Sequence, residues 1–248
     1  MHAGLVRAIR LERERVPSFD TYPFSIPAIA AMSELALDPR VTFFVGENGS
    51  GKSTLVEAFA VASGFNAEGG SKNFNFATRS SESSLHGYLR IVRNARRIKD
   101  GYFLRAESMF NVATDVDRLA ADDRRILSSY GGKSLHEQSH GESFLALVLN
   151  RFRGNGLFIL DEPESALSPM RQLALLVAMK RLVDEGSQFV IATHSPILLA
   201  YPGASIYALD GGIAPIVYDD IEHVRMTRDF LSHPSVFLQR LFDAGSSE

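Results

Sequence analysis

The 248-residue chain contains no cysteine. Disulfides, thiolate metal sites and thiol nucleophiles are therefore excluded, which suits a reducing compartment. Nor does any run approach the roughly 18–20 apolar residues that a membrane helix needs, and Met1 to Arg15 is too charged for a secretory apolar segment. These absences predict a cytoplasmic protein with no integral membrane segment. Neither sign of charge dominates: the formal net charge is −3, so contact with nucleic acid or anionic lipid must come from a local patch. Internal repeats and heptad runs long enough for a coiled coil are also missing.

What is present is 45% hydrophobic content, enough to bury a full core in one large α/β domain. The chain is organised around residues 41–65, VTFFVGENGSGKSTLVEAFAVASGF. Val41 to Val45 read as a buried strand, and Gly46 to Ser53 satisfies G-x-x-x-x-G-K-[ST] at every position. That pattern is a phosphate-binding loop. Its glycines let backbone N–H groups curl around the β- and γ-phosphates, and the helix that follows adds its positive N-terminal end. Gly46, Asn48, Gly49, Ser50, Gly51, Lys52, Ser53 and Thr54 are the candidate nucleotide-binding residues. Lys52 reaches the β/γ oxygens, Ser53 offers its hydroxyl to Mg²⁺, and Thr54 lies on the α-phosphate side.

A second element completes such a site. LFILDEPE, residues 157–164, is a buried strand ending in two carboxylates. Asp161 is the candidate to hold Mg²⁺, through water or Ser53, and Glu162 is placed to orient or deprotonate a water. A third strand, Gln188 to Ala192, ends in Thr193-His194-Ser195-Pro196. His194 thus stands where open α/β sheets collect ligands, as a γ-phosphate contact or as a structural histidine.

Elsewhere the pattern is less specific. Residues 5–16 suggest an edge strand of a partly solvated antiparallel sheet. Pro17 to Pro27 reads as an irregular loop whose Phe19, Tyr22 and Phe24 either cover the core edge or supply a ring for adenine. Residues 66–84 read as surface loop. Tyr88–Val92 and Tyr102–Glu107 read as a hairpin turning at Asp100-Gly101. Its Arg90, Arg93, Arg96, Arg97, Lys99 and Arg105 form either a phosphate-backbone contact or a solvated rim. Charged residues 115–129 and apolar residues 144–152 predict helices. Pro169 to Glu185 predicts another, with Leu173, Leu176, Val177 and Leu182 on its apolar stripe. A hairpin turning at Asp210-Gly211-Gly212 and a closing helix end the chain without assigned chemistry.

Together the motifs resemble the ATP-binding-cassette (ABC) ATPases, and within them the soluble SMC-like, AAA-family branch of compact stand-alone bacterial ATPases. GENGSGKST is similar to the Walker A loop, LFILDEPE to Walker B with its catalytic glutamate, SHGES (139–143) to the cassette signature, ESALS (164–168) to the D-loop, and His194 to the switch histidine. The signature departs from the family in His140, where a second glycine is usual, and in Glu142, where transporters carry Gln. The glutamate is similar to SMC-like signatures. The family's Gln between Walker A and the signature is missing too, since the first Gln is Gln138. Glu107 is the candidate for that metal-sensing position.

The resemblance implies a three-layer α/β core with an antiparallel β subdomain and a helical signature subdomain, the region 66–140 being inserted. It implies ATP and Mg²⁺ as ligands, the adenine being implied by the family alone. It also implies an ATP-dependent homodimer in which Ser139, Gly141 and Glu142 of one subunit cap the γ-phosphate held by the other. Glu162 and His194 would then drive hydrolysis and let the halves part. About 85 residues separate Ser53 from Ser139, too few for a long coiled-coil arm. DNA or a DNA-associated protein is the partner this branch suggests. The alternatives are a transporter's nucleotide-binding subunit or an ATP-dependent regulator of an effector protein.

Overall fold

The computed structural model describes residues 3–71, 83–106, 109–122 and 124–245. In chain order come β1 (Val6–Leu11), α1 (Pro27–Ala31), β2 (Glu34–Ala36), β3 (Val41–Val45), α2 (Lys52–Ala62), β4 (Leu89–Arg93), β5 (Asp100–Arg105) and α3 (Met109–Asp122). They are followed by α4 (His140–Arg151), β6 (Gly156–Asp161), α5 (Pro169–Asp184), β7 (Gln188–Ala192), α6 (Pro196–Leu199), β8 (Ser205–Ala208), β9 (Ala214–Pro215), α7 (Glu222–Ser232) and α8 (Pro234–Gly245).

Among the described residues the strands form two sheets. The larger has the order β5-β6-β7-β3-β8-β9, parallel except for the antiparallel β9. Parallel sheets need cover on both faces, so their strands are apolar at successive positions instead of alternate ones. Every residue of β3, β6 and β7 is buried accordingly. The pleat then sends neighbours to opposite sides. Phe43, Leu160 and Ile191 join a core with α4 and α5, while Phe44, Ile159 and Val190 join a core with α2 and β1. The smaller sheet, antiparallel β2-β1-β4, lies beyond α2. The layers are therefore sheet and α2, parallel sheet, and helices.

Five expectations are corrected by the structure. β4 and β5 are not a hairpin: β4 pairs with β1, whereas β5 pairs in parallel with β6. Asp100-Gly101 is strand, not turn, because the Asp100 carboxylate accepts from Arg151 Nη1 and Arg153 N, both at 2.9 Å, and Gly101 leaves room for the Phe65 ring and the Leu157 carbonyl. β1 is the centre of its sheet, not an edge. Residues 69–71 are buried, Gly70 bridging to Phe103, so the loop after α2 is not all surface. On α5 the buried stripe is Leu175, Ala178, Met179 and Leu182, whereas Leu173 and Val177 face outward. Both stripes have helical spacing, and only the sheet beneath selects between them.

One buried side chain ties β1 to β7. The Gln188 amide, wholly inaccessible, accepts from Leu5 N and Val6 N and donates to Val6 O and Asp38 O, all at 2.8–2.9 Å. Four backbone groups depend on it, and a buried group without a partner costs about 1–3 kcal/mol. Gln188→Leu is expected to lose about 3 kcal/mol of stability, read as a lowered denaturant midpoint at unchanged slope.

Candidate functional site

The loop that follows β3 takes its shape from glycine. Gly49 and Gly51 sit at φ +85° and +98°, left-handed values that other residues adopt at a cost. A Cβ on Gly51 would also meet Ile26 Cγ2 at 2.7 Å. The turn carries Lys52 inward, where it is 4% exposed. Its ammonium donates to Gly46 O at 2.7 Å and Glu47 O at 3.0 Å. Burial lowers the Lys52 pKa, and the carboxylates of Glu162, Asp210, Asp161 and Glu47 oppose that fall. A cation held among carboxylates and loop carbonyls suits a polyanion entering the loop.

The ends of β6 and β7 meet this loop. Ser53 Oγ donates to Asp161 Oδ1 at 3.1 Å, and Asp161 is 5% exposed. Both are hard oxygen donors of the kind Mg²⁺ selects. Arg105, at the end of β5, places Nε 3.5 Å from Asp161 Oδ2 while its Nη1 donates to Glu57 Oε2 at 2.7 Å. Glu162 follows with φ +48° and ψ +53°. This left-handed backbone in a non-glycine residue is the sort of strain that collects at working sites. His194 stands one strand over, its Nε2 3.7 Å from Glu162 Oε1. Its backbone N–H is fixed by Glu164 Oε1.

A cavity of 380 Å³ opens against Asn48, Gly49, Gly51, Lys52, Ser53 and Thr54, with Glu162 and Tyr22 also lining it. Its size is within the range of small-ligand pockets. Of the three candidate aromatics, Phe24 is buried edge-on to Tyr88 and Phe19 lies beneath Arg13. Tyr22 is 68% exposed, with its hydroxyl 3.4 Å from Thr54 Oγ1. It is the one ring of the three at the cavity.

The signature residues are elsewhere. Ser139, Gly141 and Glu142 begin α4 and do not line that cavity. Glu142 Oε2 accepts from Ser139 N at 3.0 Å and Oγ at 2.7 Å, and Arg171 pairs with Oε1 at 3.0 Å. The Ser139 hydrogen bonds hold the Glu142 carboxyl below its usual range, with help from Arg171. Gly141 is a contact glycine: a Cβ there would lie 2.7 Å from Ala166 O and from Arg171 Nη1. The start of α4 is thus clamped to the 164–168 segment of its own chain.

Glu107 lies outside the described residues. Among the described residues no group of three or more His, Asp or Glu side chains forms a ready metal cluster, so Ser53 and Asp161 would share a cation with ligand oxygens and water. The basic segment divides. Arg105 serves Asp161 and Glu57, and Arg96 donates to Ala3 O, Asn155 Oδ1 and Gly186 O; Arg90, Arg93, Arg97 and Lys99 remain exposed.

Sequence reasoning passed over three neighbours of the site. Asp210 Oδ1 accepts from Glu47 N at 2.7 Å, clamping the loop from the β8–β9 turn. Arg105 reads as one of a run of cations in the sequence, but it ends β5 in register with Asp161. His223 comes from α7, with its ring centroid 5.9 Å from that of His194; nothing in its local sequence marks it. Gly51→Ala, which combines left-handed strain with the Ile26 clash, is expected to cost about 1–2 kcal/mol and to abolish nucleotide binding, measured by calorimetry on folded protein.

Family comparison agrees with this geometry. Residues 30–139 match a model described as "AAA domain", and residues 129–200 match one described as "AAA domain, putative AbiEii toxin, Type IV TA system". An uncharacterized ABC transporter ATP-binding protein of Haemophilus influenzae is 34% identical over 30% of this chain and 29% of its own length. The nucleoside import ATP-binding protein NupA of Lactococcus lactis is 25% identical over 60% of this chain and 32% of its own. The chain thus spans about a third of the length of these curated relatives. Among solved structures, the SMC head domain from Thermotoga maritima aligns with TM-score 0.46 at 16% identity, over 86% of this chain and 98% of that one. The cbiO1 protein of Clostridium perfringens, part of the ABC transporter complex cbiONQ, aligns with TM-score 0.48 at 19% identity, over 83% and 90%. AAA-domain matches thus run consecutively from residue 30 to residue 200, across the phosphate loop and both strand ends.

Proposed function

We propose that this chain binds ATP with Mg²⁺, hydrolyses it, and uses the hydrolysis as a conformational switch between a dimer and separated subunits. The observation that carries the reading is the placement of Glu162 and His194 at the ends of adjacent strands, 3.7 Å apart, beside Lys52 and Ser53. Ser53 and Asp161 would hold Mg²⁺, which supplies charge neutralisation to the β- and γ-phosphates. Lys52 turns from the loop carbonyls to the phosphates. Glu162 orients a water and takes its proton as the water oxygen bonds to the γ-phosphorus, and the bond to the ADP oxygen breaks. His194 holds the phosphoryl group being transferred.

The exposed start of α4 supports the dimeric half of the reading. Ser139 and His140 are exposed and sit at a helix N-terminus, which favours an anion, yet they do not line their own chain's cavity. A second copy presenting Ser139 and Gly141 to the γ-phosphate would complete the site, with Glu142 shaping that helix start as a cap. The chain would act as a single ATPase domain. Glu162→Gln should then retain ATP binding, lose turnover by about a hundredfold or more, and sediment as a dimer with MgATP. Lys52→Ala should stay monomeric. A Glu162→Gln protein that binds ATP but remains monomeric overturns the sandwich.

The exposed Arg90, Arg93, Arg97 and Lys99 support DNA or a DNA-associated protein as the partner. Duplex DNA should stimulate turnover several-fold at low salt and less at physiological salt, and Arg93→Glu with Arg97→Glu should remove that stimulation. Indifference of turnover to DNA would shift the reading to a protein partner. The names of the two curated relatives favour a transporter subunit as the second reading, for which co-purification with a membrane protein is the test.

A further inference from the structure

His223 belongs to no motif of the family, yet α7 sets its ring against that of His194. Ile221 and Val224, each 2% exposed, plug the start of α7 into the core on either side of it. Just upstream, the Tyr218 hydroxyl donates to Pro196 O at 3.0 Å, anchoring the segment to the turn that carries His194. The two imidazoles meet edge to face, 5.9 Å between centroids and 61° between planes.

Each ring has a buried Nε2 that makes no hydrogen bond. A buried polar atom without a protein partner is uncommon in a folded protein and is met by a ligand or an ordered water. Burial, the neighbouring His194 and the Lys52 ammonium all lower the His223 pKa, against the carboxylates of Glu47 and Asp210. The charges that act on His223 are those of Lys52 and Glu47 in the phosphate loop and of Asp210, which clamps that loop through the Glu47 N–H. A neutral imidazole there can still donate one N–H to an anion without the repulsion that two adjacent imidazolium ions would suffer.

We propose that His223 is a second phosphate-binding histidine, which donates its Nε2–H to the terminal phosphate of ATP alongside His194 and thereby couples α7 to the nucleotide state. This rests on the ATPase reading above. It gives an acceptor to His223 Nε2, and to His194 Nε2, whose Glu162 neighbour at 3.7 Å lies beyond hydrogen-bond reach. It also distinguishes ATP from ADP, because only ATP carries the group that His223 would reach. Release of phosphate after hydrolysis would leave the ring without its acceptor and loosen the contact that holds α7 against the site.

The test compares ATP and ADP affinities, with Mg²⁺, in the hydrolysis-deficient Glu162→Gln protein with and without substitution of His223. His223→Ala is expected to weaken ATP about tenfold, the loss of one hydrogen bond to a charged group, and to leave ADP within about twofold. His223→Gln, which keeps an N–H donor, should recover most of the ATP affinity. His223→Phe, which keeps an aromatic edge against His194 but donates nothing, should not. Equal loss of ATP and ADP, no loss of either, or full recovery by phenylalanine overturns the proposal in favour of packing. A Glu162→Gln protein with intact His223 that binds neither nucleotide overturns the ATPase reading itself, which separates the two failures. Should His223→Ala not fold, the glutamine and phenylalanine variants alone still decide between donor and packing roles.

Discussion

One row of the parallel sheet sets the position of everything that acts. Arg105, Asp161, Ala192, Phe44 and Tyr207 are partners in register across β5, β6, β7, β3 and β8. The residues that follow each of the inner three strands are the phosphate loop, Glu162 and His194. Because these strands are parallel, all of them expire at the same edge, and their successors are forced into one space. A slip of one residue in any strand would turn its neighbours to the wrong core. The row is itself held by side chains of strict pleat alternation, Phe43 into one core and Phe44 into the other.

Rigidity of the sheet permits strain at its rim. Glu162 holds a left-handed backbone, and the loop passes through several glycine turns, conformations that cost energy and persist only where the surroundings over-determine them. The Gln188 amide does part of that work by joining β1 to β7 beneath the site. Asp210 does another part from the β8–β9 turn, where its carboxylate holds the Glu47 N–H. Charge completes the arrangement. Lys52 is buried among four carboxylates, and Arg105 is shared by Glu57 and Asp161. An incoming phosphate therefore meets cations whose present partners are carbonyls and carboxylates it can replace or adjoin.

The helical side is linked to the rim through two contacts that are independent of the sheet. Gly141 brings the start of α4 against Ala166 O, four residues past Glu162, and Arg171 bridges Ser139 and Glu142. On the other side α7 brings His223 to His194. Glu162 and His194 are thus each close to one contact with the helical side, the first at the start of α4 and the second at α7.

Amino-acid order alone determined the elements whose signals are local. The strand–glycine–helix run at 41–65, the apolar strands closing at Asp161 and Ala192, and the spacing of Lys52 and Ser53 follow from steric freedom and burial within a few residues. Tertiary structure decided what depends on distant partners. β4 and β5 are each plausible halves of a hairpin by themselves, but the six-stranded sheet offers β5 two buried faces and a parallel neighbour, and β1 offers β4 an antiparallel one. Whether an arginine is a surface cation or, like Arg105 and Arg96, a half-buried connector depends on which acceptors lie across a chain separation of tens of residues. His223 is the limiting case: its ring partner His194 is remote in sequence, so only the packing of Ile221 and Val224 into the core could bring the two together.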